Sequence, residues 1–527
     1  MGAWHRTLLA GMLASAVAAP LAHAAAPRAL KTQAAAAVDA QAKQIQVMVD
    51  QVFSYAEPGF QEVRTSAYLS DILEKNGFKV TRGVAGIPTA FTATWGSGGP
   101  LIALGSDVDD LLGVSQYPGI PNIKPMVEGA PGHGEGHNSG MPLVIAAAIA
   151  AKEVMEKNRI PGRLMVWPGI AEELLGSKAY YVRAGLFNGV DICIFNHVAA
   201  DFIVGYGELG QNGLVSVQYT FHGKTAHSAG DPWDGRSALD AVEIMDTAWN
   251  FRREHLPVTQ RSHYVITNGG GQPNVVPGTA SVWYYFRDRT FGAVRSLYET
   301  GNEISEAAAR ATGTTVTRQT LGYAAPNFGN KPLAEAAYEN VKLVGMPKWS
   351  ADDQAFAKAA QELNQRKVEP LHDKPAPLST PETRPLSQGG GSDDIGDIMW
   401  TVPTITIRYP ANIPNMIGHN VTSALSMATP IAHKGVVAGA KVLAMTVLDA
   451  ATTPKLVADA KAYFKDVQLK TDHYDPILTA ADQPAIWLNA KAMQEYRPQM
   501  EKFYFDPAKY QTYLDQLGIK YPTLTPQ

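Results

Sequence analysis

The chain has 527 residues, 45% hydrophobic and 18% charged, with a formal net charge of -4. That is the composition of a globular protein long enough for more than one core. The small charge, with no Lys/Arg-rich tail, argues against nucleic acid as a partner, and a single cysteine, Cys193, rules out an internal disulfide.

The N-terminal residues read as an export signal. His5 and Arg6 precede an apolar run over residues 8–21, and Ala22-His23-Ala24 puts small residues where a signal peptidase reads, with cleavage after Ala24. The expected location is the periplasm or the medium. The run is too short for a membrane anchor. No later stretch holds about 20 consecutive apolar residues, so no membrane association is expected.

Residues 36–77 alternate apolar and polar groups at helical spacing and predict two helices, broken at Glu57-Pro58-Gly59. Residues 101–105 form an apolar run ending in Ser106-Asp107-Val108-Asp109, a buried strand with carboxylates at its carboxyl end. Residues 116–134 carry four prolines and read as a loop. Helix 139–157, strand 163–167, helix 172–184 and strand 190–195 follow. Cys193 lies in the last of these and reads as an apolar filler. The β-α-β-α-β order predicts a mainly parallel sheet with helices on both faces. Ligands gather beyond the carboxyl ends of such strands.

The pattern changes near Gly207. Strand 214–221, helix 237–255, strands 264–267 and 280–287 and helix 291–312 predict an inserted α+β domain over 208–322. The first domain is then discontinuous, 36–207 and 323–450. It closes with strand 404–407 and a long helix over 426–450. Residues 451–527 form a Tyr-rich extension expected to pack on it.

The densest motif is Gly132-His133-Gly134-Glu135-Gly136-His137-Asn138. Its glycines exclude a regular helix, so this is not a helical His-Glu-x-x-His zinc site. They leave the backbone free to aim Glu135 and His137 at one point. Carboxylate and imidazole suit zinc or manganese, although a Gly/His loop alone is weak evidence for a metal site. Ala171-Glu172-Glu173 offers neighbouring carboxylates that diverge, one toward a metal and one as general base; alone, they would read as helix-dipole partners. His197 ends a strand and His419 follows a Pro-rich loop. Order and placement together make these residues a site.

The sequence resembles the M-20 peptidase family, in its aminoacylase-like amidohydrolase branch. The likeness is carried by Ser106 to Asp109, Gly132 to Asn138, Ala171 to Glu173, Gly223-Lys224-Thr225-Ala226-His227, Pro232-Trp233, Pro273-Asn274-Val275-Val276-Pro277, Ser392 to Asp397 and His433-Lys434-Gly435. The resemblance implies a zinc-exopeptidase-like catalytic domain with a lid and dimerisation insert. It implies two divalent ions, zinc or manganese, held by Glu135, His137, Glu173, His197 and His419. Glu172 falls on the general base. Asp109 falls on a ligand-orienting carboxylate, with Asp107 beside it. His227 and Asn274 fall on lid residues that reach the site, His227 from a second subunit. Glu135 departs from the pattern, standing where this branch has a bridging cysteine.

The expected substrate is a small amide bearing a carboxylate, an N-acyl or N-aroyl amino acid. Arg287 and the backbone amides of the 389–392 loop, Gly391 and Ser392 included, are candidates to bind that carboxylate. A dipeptidase or aminoacylase of the same mechanism is the first alternative. A carboxylate-binding protein that lost catalysis through Glu135 is the second, and Glu172 speaks against it, since binding alone needs no general base. A homodimer through the lid is expected, with a heteromer left open.

Overall fold

The computed structural model describes residues 25–384 and 390–524. The segment expected to be an export signal, residues 1–24, and Gly389 lie outside the described residues.

The first half of the chain supplies β1 (Lys79–Arg82), β2 (Phe91–Ser97), β3 (Leu101–Asp107), β4 (Gly162–Gly169), β5 (Ile192–Ala199) and the short β6 (Gly207–Glu208). The insert follows with β7 (Gly213–His222), β8 (Arg261–Asn268), β9 (Thr279–Asp288) and β10 (Thr315–Ala324). The chain returns through β11 (Phe328–Gly329), paired with β6, and β12 (Thr404–Pro410).

The central sheet runs β1-β2-β4-β3-β5-β12. The pairs β4-β3, β3-β5 and β5-β12 are parallel, whereas β1 and β2 form an antiparallel edge. β5 is buried along almost its whole length and β3 along all but its first residue, which requires cover on both faces and explains their unbroken apolar runs. Helices Arg28–Ala40, Ala42–Tyr55, Gly140–Asn158 and Pro430–Thr452 supply much of that cover. Pro430–Thr452 alone among the described helices is long and apolar enough to cross a membrane, and most of it is buried in this core. In the sequence, His433, Lys434 and Lys441 interrupt its apolar run.

Several elements differ from the expectation. The N-terminal region forms three helices rather than two, starting at Arg28 and breaking also at Gln41. β1 and β2 are additions to the expected strands, because β1 is a largely exposed edge with no alternation to read. The expected helix 172–184 is a single 3-10 turn over Glu172–Leu174 and then a short helix, Lys178–Arg183. Left-handed backbone at Ala171 and Leu175 interrupts it. β10 is a further addition, since its first five residues are mostly exposed and polar, and it runs past residue 322 into the expected catalytic segment.

The insert is a four-stranded antiparallel sheet, β10-β7-β9-β8. Helices Ala238–Arg253 and Phe291–Thr312 pack on the face carrying Val217, Tyr219, Tyr284 and Phe286. The opposite face carries Trp283, Tyr285 and Arg287. Residues beyond 452 wrap the catalytic domain. Phe505 and Tyr513 join the cluster of Phe53 and Met427, and Arg497 pairs with the buried Glu57 at 2.7 Å.

Candidate metal centre

Parallel topology brings the carboxyl ends of β3, β4 and β5 together, and each delivers acids or imidazoles to one place. β3 ends on Asp107 and runs into Asp109. β4 leads into the Glu172–Leu174 turn, and His197 lies within β5. The 132–138 loop enters just before helix Gly140–Asn158, and Gly136, at φ +108, makes the bend between Glu135 and His137. The His419 loop, between β12 and helix Pro430–Thr452, closes the open side; His419 itself has φ +55.

The five expected ligands converge. His137 Nε2 faces His197 Nε2 at 3.4 Å. Glu135 spans two imidazoles, Oε1 lying 3.3 Å from His197 Nε2 and Oε2 lying 2.7 Å from His419 Nε2. Glu173 Oε2 lies 3.3 Å from His419 Nε2. Donor atoms of Asp107, His137 and His197 fall within 4.8 Å of one another, as do those of Glu135, Glu173 and His419, and those of His137, Glu172 and Glu173.

The surroundings orient these groups. His137 Nδ1 lies 3.1 Å from the Asp109 carbonyl, which can take its proton and leave Nε2 to face the cluster. Asp109 Oδ2 accepts the Glu173 N–H at 3.0 Å. The Val198 carbonyl and the Arg408 guanidinium both reach His197 Nδ1, at 2.9 and 3.0 Å. Burial would raise the Glu135 carboxyl, but hydrogen bonds from His197 and His419 hold it well below its ordinary range. Burial and the Glu135 charge push Glu173 up. Burial, Asp393 and Asp107 do the same to Glu172. The residues fit divalent ions: nitrogen and carboxylate donors face one another, and the buried Glu173 Oε1 has no hydrogen-bond partner.

Behind the cluster sits a feature that the sequence reading did not include. Lys178, fully buried, lies 2.7 Å from Asp107 Oδ1 and closer still to Asp394 Oδ1. Asp394 Oδ2 also accepts the Lys178 N–H at 3.1 Å. The adjacent acids Asp393 and Asp394 after a glycine run are a usable signal; Lys178 carries none. Burial would lower the Lys178 ammonium, but Asp107 and Asp394 hold it well above its ordinary value.

The substrate-binding candidates divide. Arg287 lies on the lid face that meets the centre, where its neighbour Tyr285 reaches the Glu173 carbonyl at 3.5 Å. Its Nε is buried without a partner; burial lowers its pKa, and Glu172 is among the charges acting on it. The Gly391 carbonyl accepts the Asn212 N–H at 2.9 Å, and the buried Ser392 Oγ is unpartnered. His227 and Asn274 share the exposed end of the lid. His227 bridges to Val275, and its Nδ1 accepts the Ala229 and Gly230 N–H groups. Neither is brought to the centre of its own chain.

Comparison with known proteins agrees with this layout. Residues 209–312 match the family described as peptidase dimerisation domain. One of the subunits of p-aminobenzoyl-glutamate hydrolase from Escherichia coli is 32% identical over 464 residues, covering 84% of this chain and 96% of that one. A Xaa-Arg dipeptidase from Mus musculus is 28% identical, covering 83% and 92%. Among solved structures, an aminohydrolase described as putative, from methicillin-resistant Staphylococcus aureus, superposes with a TM-score of 0.55 at 18% identity, covering 80% and 99%. An aminobenzoyl-glutamate utilization protein from Klebsiella pneumoniae does so at 0.50 and 16%, covering 78% and 96%. An α/β domain interrupted by a dimerisation domain, shared with named hydrolases and dipeptidases over most of its length, defines this protein as an amide hydrolase. The chain belongs to the M-20 peptidase family.

Proposed function

We propose that the chain is a metal-dependent amidohydrolase that cleaves the amide bond of an N-acyl or N-aroyl amino acid, of the p-aminobenzoyl-glutamate type. The observation that carries the reading is the convergence of Glu135, His137, Glu173, His197 and His419 beside Glu172. Two divalent ions, zinc or manganese, would supply Lewis acidity toward the scissile carbonyl and the attacking water. Glu172 takes the proton from that water and returns it to the leaving amine. Glu135, His137, Glu173, His197 and His419 would hold the ions, and the reach of one Glu135 oxygen toward each of two imidazoles supports its part in this. Arg287 binds the substrate carboxylate from the lid. His227 and Asn274 complete the site across a dimer, where His227 donates to the developing oxyanion. Lid closure over 208–322 excludes water. The related Xaa-Arg dipeptidase supports a second reading, a dipeptidase of the same chemistry. Residues 1–24, read as an export signal from their sequence, support a periplasmic or secreted enzyme.

The test is Glu172→Gln, assayed with metal analysis on a panel of acyl-glutamates and dipeptides. It should bind metal as the parent does and lose kcat by about three or more orders of magnitude. Full turnover in that variant would remove Glu172 from the mechanism.

A further inference from the structure

Glu62 supplies no ligand, yet it is completely buried behind the centre. Its Oε1 accepts two backbone N–H groups, from Phe60 and from Ala171, each at 2.9 Å. Its Oε2 accepts the Thr89 hydroxyl at 3.0 Å. Both N–H donors belong to residues with left-handed backbone, Phe60 at φ +67 and Ala171 at φ +51. Side-chain-bearing residues hold such conformations only where the surroundings enforce them.

One carboxylate oxygen therefore clamps two strained turns to each other. The turns also touch directly, since a Cβ on Gly59 would lie 2.9 Å from the Ala171 Cα. Ala171 opens the single 3-10 turn that carries Glu172 and Glu173, and Leu175, at φ +53, ends it. A second buried carboxylate, Asp109, fixes the Glu173 N–H. From outside, the C-terminal extension grips the same segment: Asn489 donates to the Gly59 carbonyl at 3.0 Å and Arg497 to that of Gln61 at 2.8 Å.

We propose that Glu62 is a positioning residue for hydrolysis, locking the Ala171 turn and so setting the directions of Glu172 and Glu173. The inference rests on the reading of Glu172 as base and Glu173 as ligand. Acceptor geometry is what counts. A side chain of the same reach with an acceptor oxygen should serve, and one without should not.

The test compares Glu62→Gln, Glu62→Met and Thr89→Val in the full chain, reading kcat, KM and manganese affinity. Glu62→Gln should stay within about threefold of the parent in each, whereas Glu62→Met should lose kcat by about thirtyfold or more with KM nearly unchanged. Manganese affinity in the Met variant should fall roughly tenfold, as it does when groups that orient a ligand are removed. Should Glu62→Met not fold, Thr89→Val decides, with kcat expected to fall severalfold at constant KM. Parental kcat in the Met variant, equal losses in the Gln and Met variants, or an unchanged Thr89→Val would each overturn the proposal. If Glu172→Gln is fully active, the underlying reading falls; if it is inactive while Glu62→Met is active, only this inference falls.

Discussion

His419 Nε2 lies 2.7 Å from Glu135 Oε2, across 284 residues of chain. The other oxygen of the same carboxylate faces His197. This two-sided contact is what the proposed bridging role of Glu135, in place of the cysteine that the resemblance implies, requires. A carboxylate is a harder donor than a thiolate and does not oxidise. Glu135→Cys is expected to keep both metal equivalents and shift preference toward zinc over manganese. Glu135→Ala should lose at least one equivalent, leaving His197 and His419 without a common partner. Metal content after dialysis and chelator titration read both variants. Parental stoichiometry and affinity in the alanine variant would show that Glu135 does not bridge.

Among the described residues, Lys178 is the only cation hydrogen-bonded to Asp107 and Asp394, and all three are fully shielded from solvent. Removing one member of a buried ion pair leaves uncompensated charge, which costs about 3–5 kcal/mol. Lys178→Met should destabilise the catalytic domain by that order, measured by denaturant unfolding. Adding Asp394→Asn should recover part of the loss, since one orphaned charge disappears. Additive losses in the double variant would mean that the contact carries no coupling.

His227 faces solvent at the end of the lid, with Asn274 nearby, while Arg287 lies on the lid face beside Glu173. One lid thus presents one set of groups to its own centre and another set away from it. If His227 serves a second copy, two inactive variants should complement. Glu172→Gln and His227→Ala chains, refolded together at equal amounts, should regain about a quarter of the parental sites, because half the dimers are mixed and each holds one intact centre. The assay is activity against mixing ratio. No recovery in a preparation shown to contain mixed dimers would place His227 outside the site of another copy.

The convergence of the candidate ligands is legible in the sequence because motif order and sheet topology point the same way. Asp107, Glu173 and His197 each follow or end an apolar strand, and parallel strands share one functional edge. The Glu172 segment reads as helix because its composition is helical. What breaks it is tertiary: Glu62 holds the N–H of left-handed Ala171 and Asp109 holds that of Glu173, contacts that no local propensity foretells. β1 and β10 are hidden for a plainer reason. Edge strands with exposed polar residues carry no alternation, and their pairing is set by neighbours distant in sequence. Lys178 is equally unreadable, because a lysine at a helix start looks solvent-facing until Asp107 and Asp394 enclose it.

Asp246 offers a pH signature that belongs to the lid alone. It is buried on helix Ala238–Arg253 and accepts the Tyr284 hydroxyl at 2.5 Å. Burial raises its pKa from an ordinary 3.8 to about 6, although the Tyr284 hydrogen bond opposes the rise. The unfolded chain gives up this proton near pH 4, but the folded lid keeps it until about pH 6. The group's stabilising contribution is therefore complete below pH 4, declines between pH 4 and 6, and is lost above. Two pH units correspond to a ceiling of about 3 kcal/mol, and partial solvent access reduces this to roughly 1–2 kcal/mol. Asp246→Asn keeps an acceptor for Tyr284 without a charge. It should stabilise the lid by that amount at pH 7.5, match the parent near pH 4, and flatten the profile between. Thermal unfolding of both chains across pH 4 to 8 measures the difference. A stability gap that is constant over the range would mean that Asp246 does not titrate within it.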